Sequence, residues 1–374
     1  MIDRRLKSVI ENQFFKNKAI IITGPRQVGK TTLLHQIVDD RSEKALFLNC
    51  DEPATRELLQ DVNLTDLHLL IGKNRLLIID EAQKVENIGQ SVKLIIDNIK
   101  DVQVIVTGSS ALELNNKLDE TLTGRKLEYR LYPIASAELV DTDGLLREKS
   151  TFEPRLIYGS YPDILNHPAD AREYLTNLVE SYLYKDLLSL NDVRRPELLN
   201  NIVKALAFQV GSEVSYNELA HTVQSDFKTV EKYVDLLEKC FVVFRLSSFS
   251  RNLRSELKKS RKIYFYDNGV RNAIIQNFSP MNLRQDVGAL WENFFIAERI
   301  KRNQYAKYNA QSYFWRTSNQ QEIDYIEQYD DKISAFELKW SDKRKVSFPK
   351  SFVEAYNVED TNIITPQNYL KYLL

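Results

Sequence analysis

Gly24-Pro25-Arg26-Gln27-Val28-Gly29-Lys30-Thr31 decides how this chain is read. The stretch satisfies G-x-x-x-x-G-K-[ST] in full. It follows the apolar run Ala19-Ile20-Ile21-Ile22-Thr23 and leads into Thr32-Leu33-Leu34-His35-Gln36-Ile37-Val38. Strand, glycine loop and helix in that order are the context in which the pattern cradles a polyphosphate. The glycines let backbone N–H groups turn inward, and the helix adds the positive end of its dipole. Lys30 is placed to reach the β- and γ-phosphates, and Thr31 to put its hydroxyl on Mg²⁺. The expected ligand is ATP with Mg²⁺, held by Gly24, Pro25, Arg26, Gln27, Val28, Gly29, Lys30, Thr31 and Thr32.

Further apolar runs follow at 45–49, 75–80 and 102–107, and 126–132 alternates; helical patterns such as 87–100 lie between most of them. This alternation predicts an α/β fold with a doubly wound, mostly parallel sheet. Leu76-Leu77-Ile78-Ile79-Asp80-Glu81 buries a strand and delivers two acids at its carboxyl end. Asp80 is then the Mg²⁺ partner and Glu81 the residue that activates water. A helix N-cap pair is the plain alternative, and the upstream glycine loop tips the balance to catalysis. A third strand is expected between these two in space, and Thr107-Gly108-Ser109-Ser110 ends the strand at 102–107. Thr107 or Ser109 is the expected sensor of the γ-phosphate, against an ordinary turn. Arg125 precedes the last core strand. It reads either as an arginine finger, in cis or from a neighbour, or as a surface arginine.

The 374 residues suffice for two or three domains, and a net charge of −1 attracts no nucleic acid globally. Any such contact must come from a local patch. Cys50 and Cys240 stand far apart without metal-ligand spacing, which predicts reduced thiols. The start of the chain lacks an apolar signal region, and no run approaches 18 apolar residues. A cytoplasmic protein without a membrane span is expected.

The order of these pieces resembles the AAA-type ATPases of bacteria and archaea that carry a winged helix and a C-terminal restriction-endonuclease-like domain of unknown function. The resemblance rests on the motifs above and on Leu122-Thr123-Gly124-Arg125, Gly159-Ser160-Tyr161-Pro162 and Ile263-Tyr264-Phe265-Tyr266-Asp267-Asn268-Gly269. Trp291-Glu292-Asn293 and Glu337-Leu338-Lys339 complete it. It implies an ATP-hydrolysing core and no particular substrate. The implied division is an ATPase core over 1–133, a helical lid over 134–194, a winged helix over 195–255 and a nuclease-like domain over 256–374. A lid would pack over the nucleotide, where Arg155 is either a phosphate contact or a solvated arginine.

Residues 196–250 have the element pattern of a winged helix. Pro196 opens one helix, Ser215-Tyr216-Asn217-Glu218 starts a second as a capping box, and 227–239 forms a third. That third helix would offer Lys228, Thr229 and Lys232 to a DNA major groove, unless the module serves protein contacts. Arg251, Arg254, Lys258, Lys259, Arg261 and Lys262 form a basic run beside it, read as phosphate contacts or a solvated face.

In the last third, Gln321–Ile326 and Lys332–Trp340 read as a hairpin turned by Asp330 and Asp331. Residues i and i+2 of a strand share a face, so Glu337 and Lys339 point together and Asp324 can meet Glu337. With Glu292 on the upstream helix, this resembles the PD-(D/E)xK nuclease core. Glu292, Asp324 and Glu337 are then the expected Mg²⁺ ligands, with Lys339 stabilising the developing phosphorane charge or aligning the attacking water. Three functions follow: an ATPase that drives or switches contact with DNA, an ATP-regulated Mg²⁺-dependent nuclease, and a non-catalytic switch acting on a protein partner. Homo-oligomerisation stays open.

Overall fold

The computed structural model describes residues 2–109, 114, 117–118, 121–181, 193–250, 261–317, 319–341 and 347–374. Four members of the basic run, Arg251, Arg254, Lys258 and Lys259, lie outside the described residues, as does Ser110. The chain divides into two compact units, essentially residues 3–132 with 239–241, and residues 133–238 with 242–374.

The first unit is built on five parallel strands, β1 (Ala19–Thr23), β2 (Ala45–Asn49), β3 (Leu76–Asp80), β4 (Gln103–Gly108) and β5 (Lys126–Arg130). Their order is β2-β3-β4-β1-β5. β4 therefore stands between β1 and β3, so the strand expected between them is the one at 103–108. β1, β3 and β4 are buried along their whole length, because a parallel sheet is covered by helices on both faces. Leu77, Ile79, Val104 and Val106 pack with Val92 and Ile95 of the helix Ile88–Asn98 in one core.

The second unit carries a seven-stranded mixed sheet, ordered β12-β11-β10-β9-β7-β8-β6. The strands are β6 (Glu213–Val214), β7 (Val243–Ser248), β8 (Arg261–Phe265), β9 (Gln311–Arg316), β10 (Glu322–Tyr329), β11 (Lys332–Leu338) and β12 (Asp360–Ile364). The helices Pro196–Phe208, Tyr216–Thr222 and Phe227–Lys239 precede β7. The Ser215 hydroxyl caps the second of them by accepting from Glu218 N at 3.4 Å. β7 pairs antiparallel with β8 on one side and parallel with β9 on the other. The sheet thus runs through the boundary expected at 255/256. Pairing with β9 satisfies a strand edge that would otherwise stand open.

Two motifs earn their residues here. Asn293 accepts from Phe265 N at 2.7 Å and donates to Phe265 O at 3.0 Å, which locks the helix Val287–Tyr305 to β8. Asp267 caps the helix Asn268–Ile274 and also accepts from Ser160 N at 2.7 Å. A Cβ on Gly159 would fall 1.9 Å from Asp267 Oδ1, and Gly159 has φ +75°. No side chain fits that approach.

The helices expected as a lid include Ser136–Tyr158, broken at Gly144, and Ala171–Val179. Their partners within this unit include the helix Asn268–Ile274, and Phe152 meets the rings of Trp291 and Phe294 edge-on and that of Tyr369 at a tilt. Arg155 is 1% exposed, neither a phosphate contact nor a solvated arginine. It pairs with Glu148 and, at 3.5 Å, with Glu298, and donates to Ser160 Oγ at 2.9 Å and Ser136 Oγ at 3.1 Å. Two carboxylates within reach hold it where burial would otherwise expel a charge.

Candidate functional site

The nucleotide-binding candidates gather at the carboxyl edge of the first sheet, where an open α/β sheet places its ligands. Gly29 takes φ +94° immediately before the helix Lys30–Asp39, a conformation open to glycine at little cost. Gly24 is fixed by crowding, since a Cβ there would stand 2.3 Å from Leu131 O. Gly24→Ala is therefore expected to displace the loop, costing about 1–3 kcal/mol of stability and weakening ATP binding at least tenfold. Thermal denaturation and nucleotide titration read the two effects.

Lys30 is buried, and its Nζ donates to Gly24 O at 2.9 Å and Pro25 O at 3.0 Å. Burial pushes its pKa down to about 8, against the pull of Glu81 and Asp80. Thr31 Oγ1 donates to Asp80 Oδ2 at 2.7 Å, and Thr107 Oγ1 donates to Asp80 Oδ1. The Thr31 hydroxyl and the Asp80 carboxylate are hard oxygen donors side by side, a set that fits Mg²⁺.

Glu81 has φ +54° and ψ +42°, a left-handed backbone that is uncommon for glutamate. Its N–H donates to Thr107 Oγ1 at 3.2 Å. Gln83 Nε2 donates to Glu81 Oε2 at 2.6 Å and to Ser109 Oγ at 3.0 Å, so one buried amide joins the catalytic and sensor candidates. The motifs alone do not single out Gln83. Its signal is its place two residues beyond Glu81, in the turn that leaves β3.

Arg125 requires a correction. It directly precedes β5, and its carbonyl accepts from Ala19 N at 2.8 Å, at the amino edge of the sheet. The glycine loop leaves β1 at the opposite edge, about 16 Å away for five residues at roughly 3.3 Å each. Arg125 pairs with Asp97 at 2.7 Å and cannot act as a finger in cis.

The second constellation lies on the second sheet. Tyr325 stands opposite Phe336, so the same register carried one step on sets Asp324 beside Glu337. The β9–β10 register shifts between Ile323 and Ile326, and such irregularities re-aim side chains near sites. Lys339 Nζ lies 2.7 Å from Glu337 Oε2 and 3.3 Å from Asp324 Oδ2. Asp324 Oδ2 also accepts from Leu338 N at 2.7 Å. Burial and the Asp324 charge push the Glu337 carboxyl upward.

Glu292 Oε1 accepts from Tyr264 OH at 2.5 Å and from Lys262 Nζ at 3.1 Å, and Lys262 also reaches Glu322 Oε1 at 2.6 Å. Burial pushes Glu292 upward as well, joined by the charge on Asp324 and opposed by Lys262. Among the described residues no three His, Cys, Asp or Glu side chains converge closely enough to hold a metal ion. As arranged, each of these carboxylates is engaged by a lysine, Glu292 by Lys262 and both Asp324 and Glu337 by Lys339.

Lys262, Tyr264 and Glu322 join this centre, and no motif in the sequence places them there. Lys262 is 1% exposed, which removes it from the expected phosphate patch. Arg261, the other described member, lies over the Tyr216 ring at 4.8 Å and 3.7 Å from Glu231. Of the groove-facing candidates, Thr229 Oγ1 donates to Asp226 Oδ2 at 2.7 Å, while Lys228 is exposed.

Residues 16–140 match the family model described as an AAA domain. Residues 149–281 and 287–371 match two models described as domains of unknown function, DUF8612 and DUF4143. An uncharacterised protein of Mycobacterium tuberculosis is 26% identical over 359 residues, spanning 93% of this chain and 76% of its own. An uncharacterised protein of Methanocaldococcus jannaschii is 24% identical over 318 residues, 78% of this chain and 69% of its own. Among solved structures, the Walker-type ATPase of Pyrococcus abyssi aligns at a TM-score of 0.47 and 16% identity, covering 74% of this chain and 96% of that one. RuvB of Thermotoga maritima aligns at 0.32 and 16% identity, covering 70% and 92%. The glycine loop and the parallel sheet agree with this similarity of residues 16–140 to an AAA domain. No described helix is long and apolar enough to cross a membrane.

Proposed function

We propose that this chain binds and hydrolyses ATP and uses the nucleotide cycle to drive or switch contact with DNA. The observation that carries the hydrolytic half is the hydrogen-bonded chain Thr31–Asp80–Thr107–Glu81–Gln83–Ser109 at the mouth of the glycine loop. In this reading Lys30 grips the β- and γ-phosphates, Thr31 and Asp80 hold Mg²⁺, and Glu81 takes a proton from the attacking water. Bound there, Mg²⁺ supplies neutralisation of phosphate charge. Ser109 and Thr107 report the γ-phosphate, and Arg125 serves only if a neighbouring copy supplies it. Turnover of ATP by the purified chain, abolished in Lys30→Ala, tests this half.

The DNA half is supported by the order helix, short strand, helix, helix and two strands over 196–265, which suits a winged helix. The helix Phe227–Lys239 turns Val230, Tyr233, Val234, Leu236 and Leu237 inward and carries Lys228 and Lys232 in its first two turns. Binding is expected to weaken with salt. Neutralising Arg251, Arg254, Lys258 and Lys259 together should flatten log affinity against log salt by about 0.9 for each DNA phosphate left without its cation. Fluorescence anisotropy over a salt series measures the slope. Absence of binding at low salt, with or without ATP, defeats this half and favours a protein partner.

A nuclease is the second reading, favoured by the approach of Lys339 to both Asp324 and Glu337. Divalent-dependent cleavage of DNA or RNA that Asp324→Ala abolishes, with ATP hydrolysis intact, would establish it.

A further inference from the structure

On the second sheet Lys262 is paired with Glu292 and Glu322, and Lys339 with Asp324 and Glu337; the charge on Asp324 acts on both Glu292 and Lys262 and joins the two pairs. Lys262 rises from β8 with its side chain 2% exposed, its ammonium 2.6 Å from Glu322 Oε1 and 3.1 Å from Glu292 Oε1. The same ammonium lies 5.5 Å from the Phe314 ring centroid, so an aromatic face closes it on another side. Tyr264, two residues along the strand, donates to the same Glu292 oxygen at 2.5 Å. Asp324 Oδ2 is engaged by Leu338 N and Lys339.

A divalent cation of the Mg²⁺ or Mn²⁺ kind must bring carboxylate oxygens to about 2.1 Å and tolerates little distortion. Here the oxygens are drawn instead toward two ammonium groups. Expelling Lys262 would strand a buried cation, or leave Glu292 and Glu322 unpaired, and either is costly. We infer that Lys262 is a built-in cation: its ammonium takes the place of a divalent metal among Glu292, Glu322 and Asp324, and the wild-type centre binds none. Removing that one charge while keeping the bulk opens a divalent site. The inference is independent of the nucleotide cycle, because a failed ATPase or DNA assay leaves the metal count untouched, and it is opposed to the nuclease reading: divalent-dependent cleavage that Asp324→Ala abolishes would overturn it.

Mn²⁺ titration of the full chain without nucleotide, followed by the electron paramagnetic resonance signal of free Mn²⁺, tests it. The glycine-loop region is common to all variants, so differences report the second centre. Lys262→Met is expected to bind one more Mn²⁺ per chain than wild type, and Lys262→Met with Asp324→Asn to lose it again. Wild type and Asp324→Asn should bind equally. That last pair keeps the test alive if the methionine variant does not fold. A Mn²⁺ ion lost on Asp324→Asn with Lys262 in place would overturn the inference, and so would a folded Lys262→Met protein that gains none.

Discussion

Glu81→Gln is expected to bind ATP as wild type does and to hydrolyse it about 100- to 10,000-fold more slowly, the range set by loss of a general base. The amide is nearly isosteric with the carboxylate, so the left-handed turn at residue 81 and its backbone bond to Thr107 persist. The lost property is proton acceptance. Gln83 faces residue 81 through its Nε2 at 2.6 Å, and its own Oε1 is buried without a partner. In the variant the two amides can pair by flipping one of them, so no buried charge is stranded. Steady-state phosphate release and nucleotide titration separate the two effects. Turnover at the wild-type rate would remove Glu81 from its role.

Arg155→Ala is expected to destabilise the protein by about 3–5 kcal/mol, the cost of removing one partner from a buried ion pair. The loss falls on Glu148 and Glu298, both of which are buried. Lys301 remains 2.7 Å from Glu298, but among the described residues Glu148 keeps only Tyr369 OH, at 3.0 Å. The cluster ties the helix Ser136–Tyr158 to the helix Val287–Tyr305, so its failure should be felt across the second unit. Denaturant unfolding measures the change, and a double-mutant cycle with Glu148→Gln separates the pair from the packing. A loss under 1 kcal/mol would show that the surrounding hydroxyls suffice.

The candidate nucleotide site is legible in the sequence because its residues come in short consecutive runs. A glycine loop after an apolar strand, and an acid pair after another, fix chemistry and position together. Strand β4 and the hairpin β10–β11 follow from apolar runs and a two-residue turn, whereas the place of β4 between β1 and β3 does not follow from any run. Arg125 misleads through chain direction, since a residue that precedes a parallel strand sits at the edge away from the ligand. The edge strand β12, Asp360-Thr361-Asn362-Ile363-Ile364, is largely uncovered and carries too little apolar pattern to announce itself. Lys262 reads as surface because its sequence neighbours are basic. Its true partners, Glu292 and Glu322, are far along the chain, and only the pairing of β8 into the second sheet brings them together. Arg155 is opaque for the same reason: nothing local tells a buried guanidinium from a solvated one.

The most direct measurement is the affinity of the Glu81→Gln protein for duplex DNA at fixed salt, taken nucleotide-free, with ADP and with ATP, alongside Lys30→Ala as a variant that cannot hold the phosphates. A nucleotide-driven switch predicts an ATP-state affinity at least tenfold apart from the nucleotide-free one, about 1.4 kcal/mol of coupling, and no such difference in Lys30→Ala. Equal affinity in all three states, in a protein shown to bind ATP, would contradict it.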